Sequence, residues 1–201
     1  STPQTVLAAL TVGGIAIQNA QIMWDNQQTG EQLAIGNLNA NAEKFAFNVP
    51  VKIDLAADVS GKELKFPGAI KIATALRVDE KLENVEFTDS QVEWLAAQKK
   101  SISSQPLDAK LTAPSGVLSI SQQTLKLPEL QMQSGDAQVA ADLTVEHVFE
   151  QPSFLGTATL KPFNPRPAFK QWEIALPSMS DPKALTSLGL SFQFQANPAQ
   201  V

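Results

Sequence analysis

The chain has no cysteine, no tyrosine and a single histidine, His147, among its 201 residues. The absence of cysteine excludes disulfides and thiolate metal sites. One histidine has no partner at the spacing that a zinc site needs, and it gives a serine triad little support. A complete glycine-rich phosphate loop and a Gly-x-Ser-x-Gly elbow are also missing. We therefore expect a protein that is not an enzyme and that uses no cofactor or metal.

Charged side chains are scarce as well, at 17% of the residues against roughly 25% in a typical soluble domain. The net charge of −5 is scattered along the chain, so there is no basic stripe for phosphates and no nucleic-acid partner is expected. No stretch approaches the roughly 18 apolar residues of a membrane span, and no signal peptide opens the chain. Because the first residue is Ser1, we expect an excised part of a longer protein that has lost an N-terminal anchor.

What the sequence does contain is a long alternation of apolar and polar residues. Between positions 49 and 60 the apolar side chains fall on every second residue, at Val49, Val51, Ile53, Leu55, Ala57 and Val59. The same alternation returns at 70–78, 139–145 and 190–194. Because successive side chains of a β-strand point to opposite faces, this pattern predicts strands that are apolar on one side and wet on the other.

The whole chain is divided by this alternation into short strands with polar, Gly-containing or Pro-containing breaks. We predict strands at about 11–24, 33–42, 49–60, 69–78, 82–94, 107–112, 116–121, 124–133, 137–147, 154–161 and 190–196. The alternation slips at 18–21, where a β-bulge would restore the face, and it changes phase at 36–37. Short connections predict that strands adjacent in sequence are adjacent in space. The predicted fold is therefore mainly β, a curved antiparallel meander that forms a groove, a taco-like fold or an open sandwich.

Two short helices are predicted near the C-terminus. Asn164-Pro165 and Asp181-Pro182 each combine a capping side chain with proline at the first helical position. These signals predict helices at about 165–172 and 182–188, the second ending at Gly189. Another short turn or helix is expected at 7–10. We treat 1–201 as a single β-rich domain, or a fragment of a longer β-rich body, with 162–189 as a helical insert before the last strand.

Two groups of charged residues are weaker candidates for a site. The acidic group consists of Asp79, Glu80 and Glu83. We interpret it as solvated loop charge rather than a calcium site. The basic group consists of Lys161, Arg166 and Lys170. We interpret it as ordinary surface charge rather than a contact for lipid headgroups.

The aliphatic stripe has two interpretations. It is either the closed core of a sandwich or barrel, or the lining of a groove that stays partly open. An acyl chain has no directional requirements and needs only continuous apolar area, which alternate aliphatic residues supply. The candidate groove face consists of Val51, Ile53, Leu55, Ile70, Ile72, Leu76, Val139, Ala141 and Leu143.

Two separated stretches also resemble a known family. The C-terminal stretch is Phe154-Leu155-Gly156-Thr157-Ala158-Thr159-Leu160-Lys161-Pro162-Phe163-Asn164-Pro165-Arg166, continued by Leu176-Pro177, by 180–185 and by Leu190-Ser191-Phe192. The N-terminal stretch is 12–17 running into Ile22-Met23-Trp24-Asp25, then Gln28-Thr29-Gly30 and 33–38. Both resemble the AsmA family of bacterial envelope proteins, in the family's order.

The resemblance implies a location and a role. AsmA-like proteins have an N-terminal inner-membrane anchor and a long β-rich periplasmic body, and they are similar to bridge-like lipid transfer proteins. The family is associated with outer-membrane lipid homeostasis and assembly, and it offers no catalytic motif. The implied partners are phospholipid acyl chains, the remaining segments of the full-length protein and unidentified envelope proteins.

Two functional hypotheses follow. In the first, the chain is a non-enzymatic segment whose apolar β-groove binds or conducts lipids. In the second, the stripe is a closed core, and exposed strand edges recruit a neighbouring segment or a partner protein by strand addition.

Overall fold

A computed structural model of the protein describes residues 13–26, 30–62, 64, 67–97, 108–171, 174–175, 181 and 184–197. It contains ten strands and one short helix, α1 (Pro165–Gln171). The strands are β1 (Ile15–Asn26), β2 (Glu31–Ala42), β3 (Val51–Gly61), β4 (Gly68–Val78), β5 (Asn84–Ala96), β6 (Asp108–Ser119), β7 (Thr124–Ser134), β8 (Ala137–Glu146), β9 (Ser153–Phe163) and β10 (Leu188–Ala196).

The ten strands form one antiparallel sheet whose spatial order is the order along the chain, from β1 to β10. The sheet is open and curled, which confirms the mainly β, curved antiparallel meander predicted from the alternation. Each described strand makes its extensive contacts only with its neighbours in sequence. Among the described residues, β1 and β10 therefore remain as two free edges.

Several strands contain a bulge with one residue in the left-handed region of backbone space. These residues are Asn19 (φ 51°), Asn37 (φ 48°), Asp89 (φ 51°) and Glu129 (φ 55°). Asn19 and Asn37 lie at the register shifts between β1, β2 and β3. The bulge expected at 18–21 is thus confirmed, and the phase change noted at 36–37 coincides with a second bulge. An extra residue at a bulge resets the alternation, so the apolar side chains stay on one face above and below it.

At two of these bulges, a side chain of the neighbouring strand accepts a hydrogen bond from the backbone N–H of the bulged residue. The backbone N–H of Asn19 donates to Oδ1 of Asn39 at 3.1 Å. The backbone N–H of Glu129 donates to Oδ1 of Asp142, also at 3.1 Å. A bulge leaves ladder groups without a backbone partner, and a nearby amide or carboxylate replaces that partner.

The sequence-based division at Pro114 is wrong, because the single strand β6 (Asp108–Ser119) continues from one predicted strand into the next. Proline has no N–H to donate to a ladder. No paired residues lie between Thr112 and Val117 on the β7 side, whereas pairing with β5 continues through Ala113 and Ser115. The strand survives because Pro114 sits at a gap in one ladder while the other ladder holds the backbone.

One of the two predicted helices forms. The Oδ1 of Asn164 accepts the backbone N–H of Arg166 at 3.1 Å, and α1 begins at Pro165 as expected from the cap. The second prediction, 182–188, is wrong in its described part. The N–H of Ala184 reaches the carbonyl of Asp181 in a single turn, and Leu185 then takes a φ of 54°, which stops helical propagation. β10 begins at Leu188. The turn or helix expected at 7–10 lies outside the described residues.

Loops at one end of the sheet are joined by backbone hydrogen bonds. Ile120 donates to the carbonyl of Glu83 at 2.7 Å, which links the β6–β7 loop to the β4–β5 loop. Val148 donates to the carbonyl of Gln123 at 3.0 Å, which adds the β8–β9 loop. These bonds extend the β-ladders past the ends of the strands and tie this end of the sheet together.

Candidate functional site

One face of the sheet is apolar across all ten strands. Paired positions can be followed from each strand to the next, and paired residues of neighbouring strands lie on the same face. One such row contains one residue of every strand: Ile17, Ala40, Leu55, Ile72, Val92, Leu111, Met132, Val139, Leu160 and Leu190. At about 4.8 Å per strand, the row extends for about 43 Å.

A second row runs parallel to the first. It lies nearer the β4–β5, β6–β7 and β8–β9 loops, which are joined by backbone hydrogen bonds. It consists of Val78, Val85, Leu118, Leu125, Val145, Phe154 and Ala196. Every member is apolar, as in the first row. The apolar surface is therefore two-dimensional: it continues along the strands and across them.

The opposite face carries the charges. Arg77 pairs with Glu86, and the ammonium of Lys110 lies 3.3 Å from a carboxylate oxygen of Glu93. All four side chains are substantially exposed, so these ion pairs contribute little stability. Their charged groups all lie on the polar face, so the two faces of the sheet differ in polarity.

The apolar face is the more enclosed of the two faces. The strand side chains with less than a tenth of their surface exposed all lie on it: Val51, Ala57, Ala96, Ala113, Leu130, Ala137, Val145 and Ala158. Exposure rises towards the free edges, to 50% at Ile22 and 48% at Phe192. No second layer of described strands covers these side chains. The face thus shields itself in part and remains open to a ligand.

All nine side chains of the candidate groove face lie on this face. Six belong to β3 and β4 and three to β8, so the two groups are separated by β5, β6 and β7. Val51 is buried, whereas the other eight retain partial exposure. Leu55, Ile72 and Val139 are members of the ten-strand row.

The candidate groove face inferred from the sequence left out residues that seven other strands contribute to the same face, although the strand at 11–24 and the alternation at 190–194 were both predicted. Trp24, Phe87, Leu111, Leu130 and Phe194 are examples, one each from β1, β5, β6, β7 and β10. Their signal is the same period of two, interrupted by a bulge or a proline in most of these strands. Restarting the alternation after each interruption would have found them.

Hydroxyl groups are rare on the apolar face. Among described side chains in the interior of the strands and outside the bulges, only Thr74 of β4 and Ser90 of β5 bring a hydroxyl to it, whereas Trp24 and Trp94 each bring an indole N–H. Their hydroxyl oxygens lie 2.7 Å apart and share a hydrogen bond. The next such residue, Ser134, lies at the end of β7 beside the β7–β8 turn.

The polar face contains a broad depression of about 510 Å³ across β1 to β5. Its lining includes Asp54, Lys71 and Glu93, with small residues such as Ala56 and Ala73 between them. The side-chain hydrogen bond from Lys110 lowers the pKa of Glu93 below its ordinary value. The carboxylate is therefore ionised and paired, which suits a solvated surface and not general acid catalysis.

The acidic group at 79–83 has a structural role. The carboxylate of Asp79 accepts the backbone N–H of Glu83 at 2.8 Å and the amide of Asn84 at 2.9 Å. Desolvation acts to raise the pKa of Asp79, but the hydrogen bonds from Asn84 and from backbone N–H groups outweigh it, so the pKa is lowered. The described residues contain no group of three possible metal ligands. Asp79 is thus a turn-capping residue.

Arg166 and Lys161, two members of the basic group near α1, donate hydrogen bonds to different parts of the fold. The guanidinium of Arg166 donates from Nε to the carbonyl of Ala184 at 3.1 Å, which ties α1 to the turn that precedes β10. Lys161 donates to Oε1 of Gln138 across the β8–β9 pair. Arg166 therefore stabilises the connection to the last strand.

No protein-family model, curated protein or solved structure matches this chain. None of the helices in the described part of the chain is both long and apolar enough to cross a membrane.

Proposed function

We propose that the protein is a non-enzymatic envelope segment that binds or conducts lipids on its apolar sheet face. The observation that carries the proposal is the row of ten apolar residues, one from each strand, which no described layer covers. A row of this kind offers continuous apolar contact over about 43 Å. It presents no ionised group along its length.

The physical case rests on the hydrophobic effect. Removing apolar surface from water contributes about 25 cal/mol per Å², or about 0.8 kcal/mol for each buried methylene. An acyl chain that lies in the curl buries its own methylenes and also the half-exposed Leu, Ile and Val side chains beneath it. Because this attraction has no direction, a chain can slide along the face without breaking specific bonds.

The resemblance to the AsmA family supports a location for this activity. On that basis we place the segment in the periplasm, within a longer protein anchored in the inner membrane. Its role there is in outer-membrane lipid homeostasis and assembly, with phospholipid acyl chains and the remaining segments of the full-length protein as partners.

Two adjacent residues of β4 test the proposal. Ile72 points to the apolar face and Ala73 to the polar face, so aspartate at each position adds the same charge on opposite sides. We expect Ile72→Asp to lose the phospholipid that co-purifies with the wild type, as measured by mass spectrometry of extracted protein, and Ala73→Asp to keep it. A folded Ile72→Asp protein that retains its lipid would show that the ligand does not use this face.

The free edges favour strand addition as a second candidate function. β10 has no charged residue and no proline, and Asp25 is the only charged residue within β1. Natural edge strands usually carry such residues to prevent pairing with other chains. Here the unguarded edges would add a strand from a neighbouring segment or a partner.

Proline substitutions at alternate positions of 191–194 test the edge. At every second residue of β10 the N–H points away from β9, and proline there removes only a donor for an added strand. We expect concentration-dependent association, measured by light scattering, to disappear in one alternating set of variants. A protein that is monomeric at every concentration and binds no added strand peptide would contradict this function.

A further inference from the structure

We propose that the hydroxyls of Thr74 and Ser90 form a polar contact point on the apolar face that takes the carbonyl oxygen of an acyl ester. The inference rests on the proposed lipid-binding function and names the chemical class of its ligand. It starts from the presence of two adjacent hydroxyls on a face whose other strand-interior side chains are aliphatic, aromatic or thioether groups.

The surroundings of the pair are apolar on both sides. Thr74 is paired with Ile53 of β3, and Ser90 is paired with Ala113 of β6. Ala113 is buried, while Thr74 and Ser90 are both half-buried. The hydroxyls therefore stand in a partly dehydrated place, where a hydrogen bond to a ligand contributes more than it would in open water.

Hydrogen-bond accounting leaves one donor free. Each hydroxyl can donate one proton and accept others. The single bond between the two oxygens, at 2.7 Å, uses one of the two protons. No other hydrogen bond joins either hydroxyl to a described residue. The remaining O–H is available to an acceptor that lies on the apolar face.

A bulge brings the second hydroxyl to this face. Phe87 points to the apolar face, and an uninterrupted alternation would put the carboxylate of Asp89 there next. Asp89 instead takes a φ of 51°, and the register shifts between β4 and β5 at this point. The shift moves Ser90 onto the apolar face beside Thr74. A neutral hydroxyl thus occupies a place where an anion would repel an acceptor oxygen.

The chemistry of the pair selects a neutral acceptor. A phosphate or a free carboxylate at this place would be a partly buried charge without an ion-pair partner, because the described strand-interior side chains on the apolar face include no cation. The carbonyl oxygen of an ester accepts one hydrogen bond and carries no net charge. The acyl chain attached to it then lies along the flanking aliphatic row. The carbonyl thus has a hydrogen-bond donor, and the chain has apolar contact.

The test compares a long-chain fatty acid methyl ester with an alkane of equal carbon number, as competitors for a fluorescent acyl probe. We expect the ratio of ester affinity to alkane affinity to be about 2- to 10-fold higher in the wild type than in the double variant Thr74→Val with Ser90→Ala, the effect of one neutral hydrogen bond. The double variant should bind the alkane as the wild type does. Thr74→Ser, which keeps the hydroxyl, and Ser134→Ala, which lies away from the pair, should both keep the wild-type ratio.

Each result distinguishes this inference from the function beneath it. An unchanged ester preference in the folded double variant would overturn the role of the pair and leave lipid binding in place. If the wild type binds neither competitor, lipid binding on this face fails and the inference fails with it.

Discussion

The ring of Phe194 in β10 lies over Gly156 in β9, at a position where the two residues are directly paired. A Cβ added to Gly156 would meet the Cζ of Phe194 at 3.0 Å and the backbone carbonyl of Asp142 at 2.2 Å. The glycine thus lets an aromatic side chain fold down onto the apolar face. This contact covers Gly156, while Leu190 and Phe192 of the same strand remain 43% and 48% exposed.

The first prediction concerns this contact. Gly156→Ala should lower the free energy of unfolding by about 1–3 kcal/mol, because the backbone of β8 cannot move away without breaking its ladder. Denaturant unfolding measures the change. Gly36→Ala is the matched control, since a Cβ there meets nothing within 4 Å. Equal effects of the two substitutions would contradict the tight approach of β8, β9 and β10.

The second prediction compares two side chains of β7 on the same face. Leu130 is 6% exposed and Met132 is 41% exposed. Leu130→Ala should lower the free energy of unfolding by about 2–4 kcal/mol, and Met132→Ala should lower it by less than half as much. If lipid occupies the face, it would cover the exposed part of Met132. Adding lipid should then increase the stability difference between the wild type and Met132→Ala. Thermal unfolding with and without phospholipid measures both effects.

The third prediction concerns acid stability. The pKa of Asp79 is below its ordinary value of 3.8 in the folded protein. A lowered carboxyl pKa contributes stability that is present above the unfolded-state pKa and is lost as the pH falls through the folded-state pKa. Asp79→Ala should therefore shift the urea midpoint downward at pH 7, and the shift should shrink as the pH falls below 3.8, the ordinary pKa of the carboxyl group.

Asn84→Ala provides the companion measurement. It removes one hydrogen bond to the Asp79 carboxylate and should reproduce part of the same pH dependence. A difference between wild type and Asp79→Ala that stays constant from pH 7 to pH 2 would show that the carboxylate does not cap the turn.

The fourth prediction tests whether the apolar face acts as one surface. Val139 lies in β8, four strands from Ile72, in the same ten-strand row. Val139→Asp should reduce the amount of co-purified phospholipid as Ile72→Asp does, whereas Ala140→Asp, on the other face, should not. Lipid loss from the β4 variant alone would restrict the ligand to one half of the sheet.

Much of the fold was predictable from the sequence because it depends on local periodicity. An alternation such as that of 49–60 determines which side chains share a face, whatever the neighbouring strands do. The bulges at Asn19 and Asn37 are visible as slips in that alternation. The cap of α1 is visible in Asn164-Pro165, since the side chain bonds to a backbone group only two residues away.

The errors occurred where distant residues decide the local structure. Pro114 suggested a break, but pairing of its neighbours with β5 carries the strand through it. Asp181-Pro182 suggested a helix, but the pairing of Leu188 with Phe163 begins β10 too early for one to form. In both cases interstrand hydrogen bonds outweighed a local signal.

By itself, then, the sequence determined that most strands have one apolar and one polar side, because side-chain direction alternates with every residue. Only the tertiary structure decided that ten such sides join in an unbroken row, and that Thr74 meets Ser90 across sixteen residues. These outcomes depend on strand register. Register is set by hydrogen bonds between strands and by bulges that shift them, so it exists only once the strands have paired.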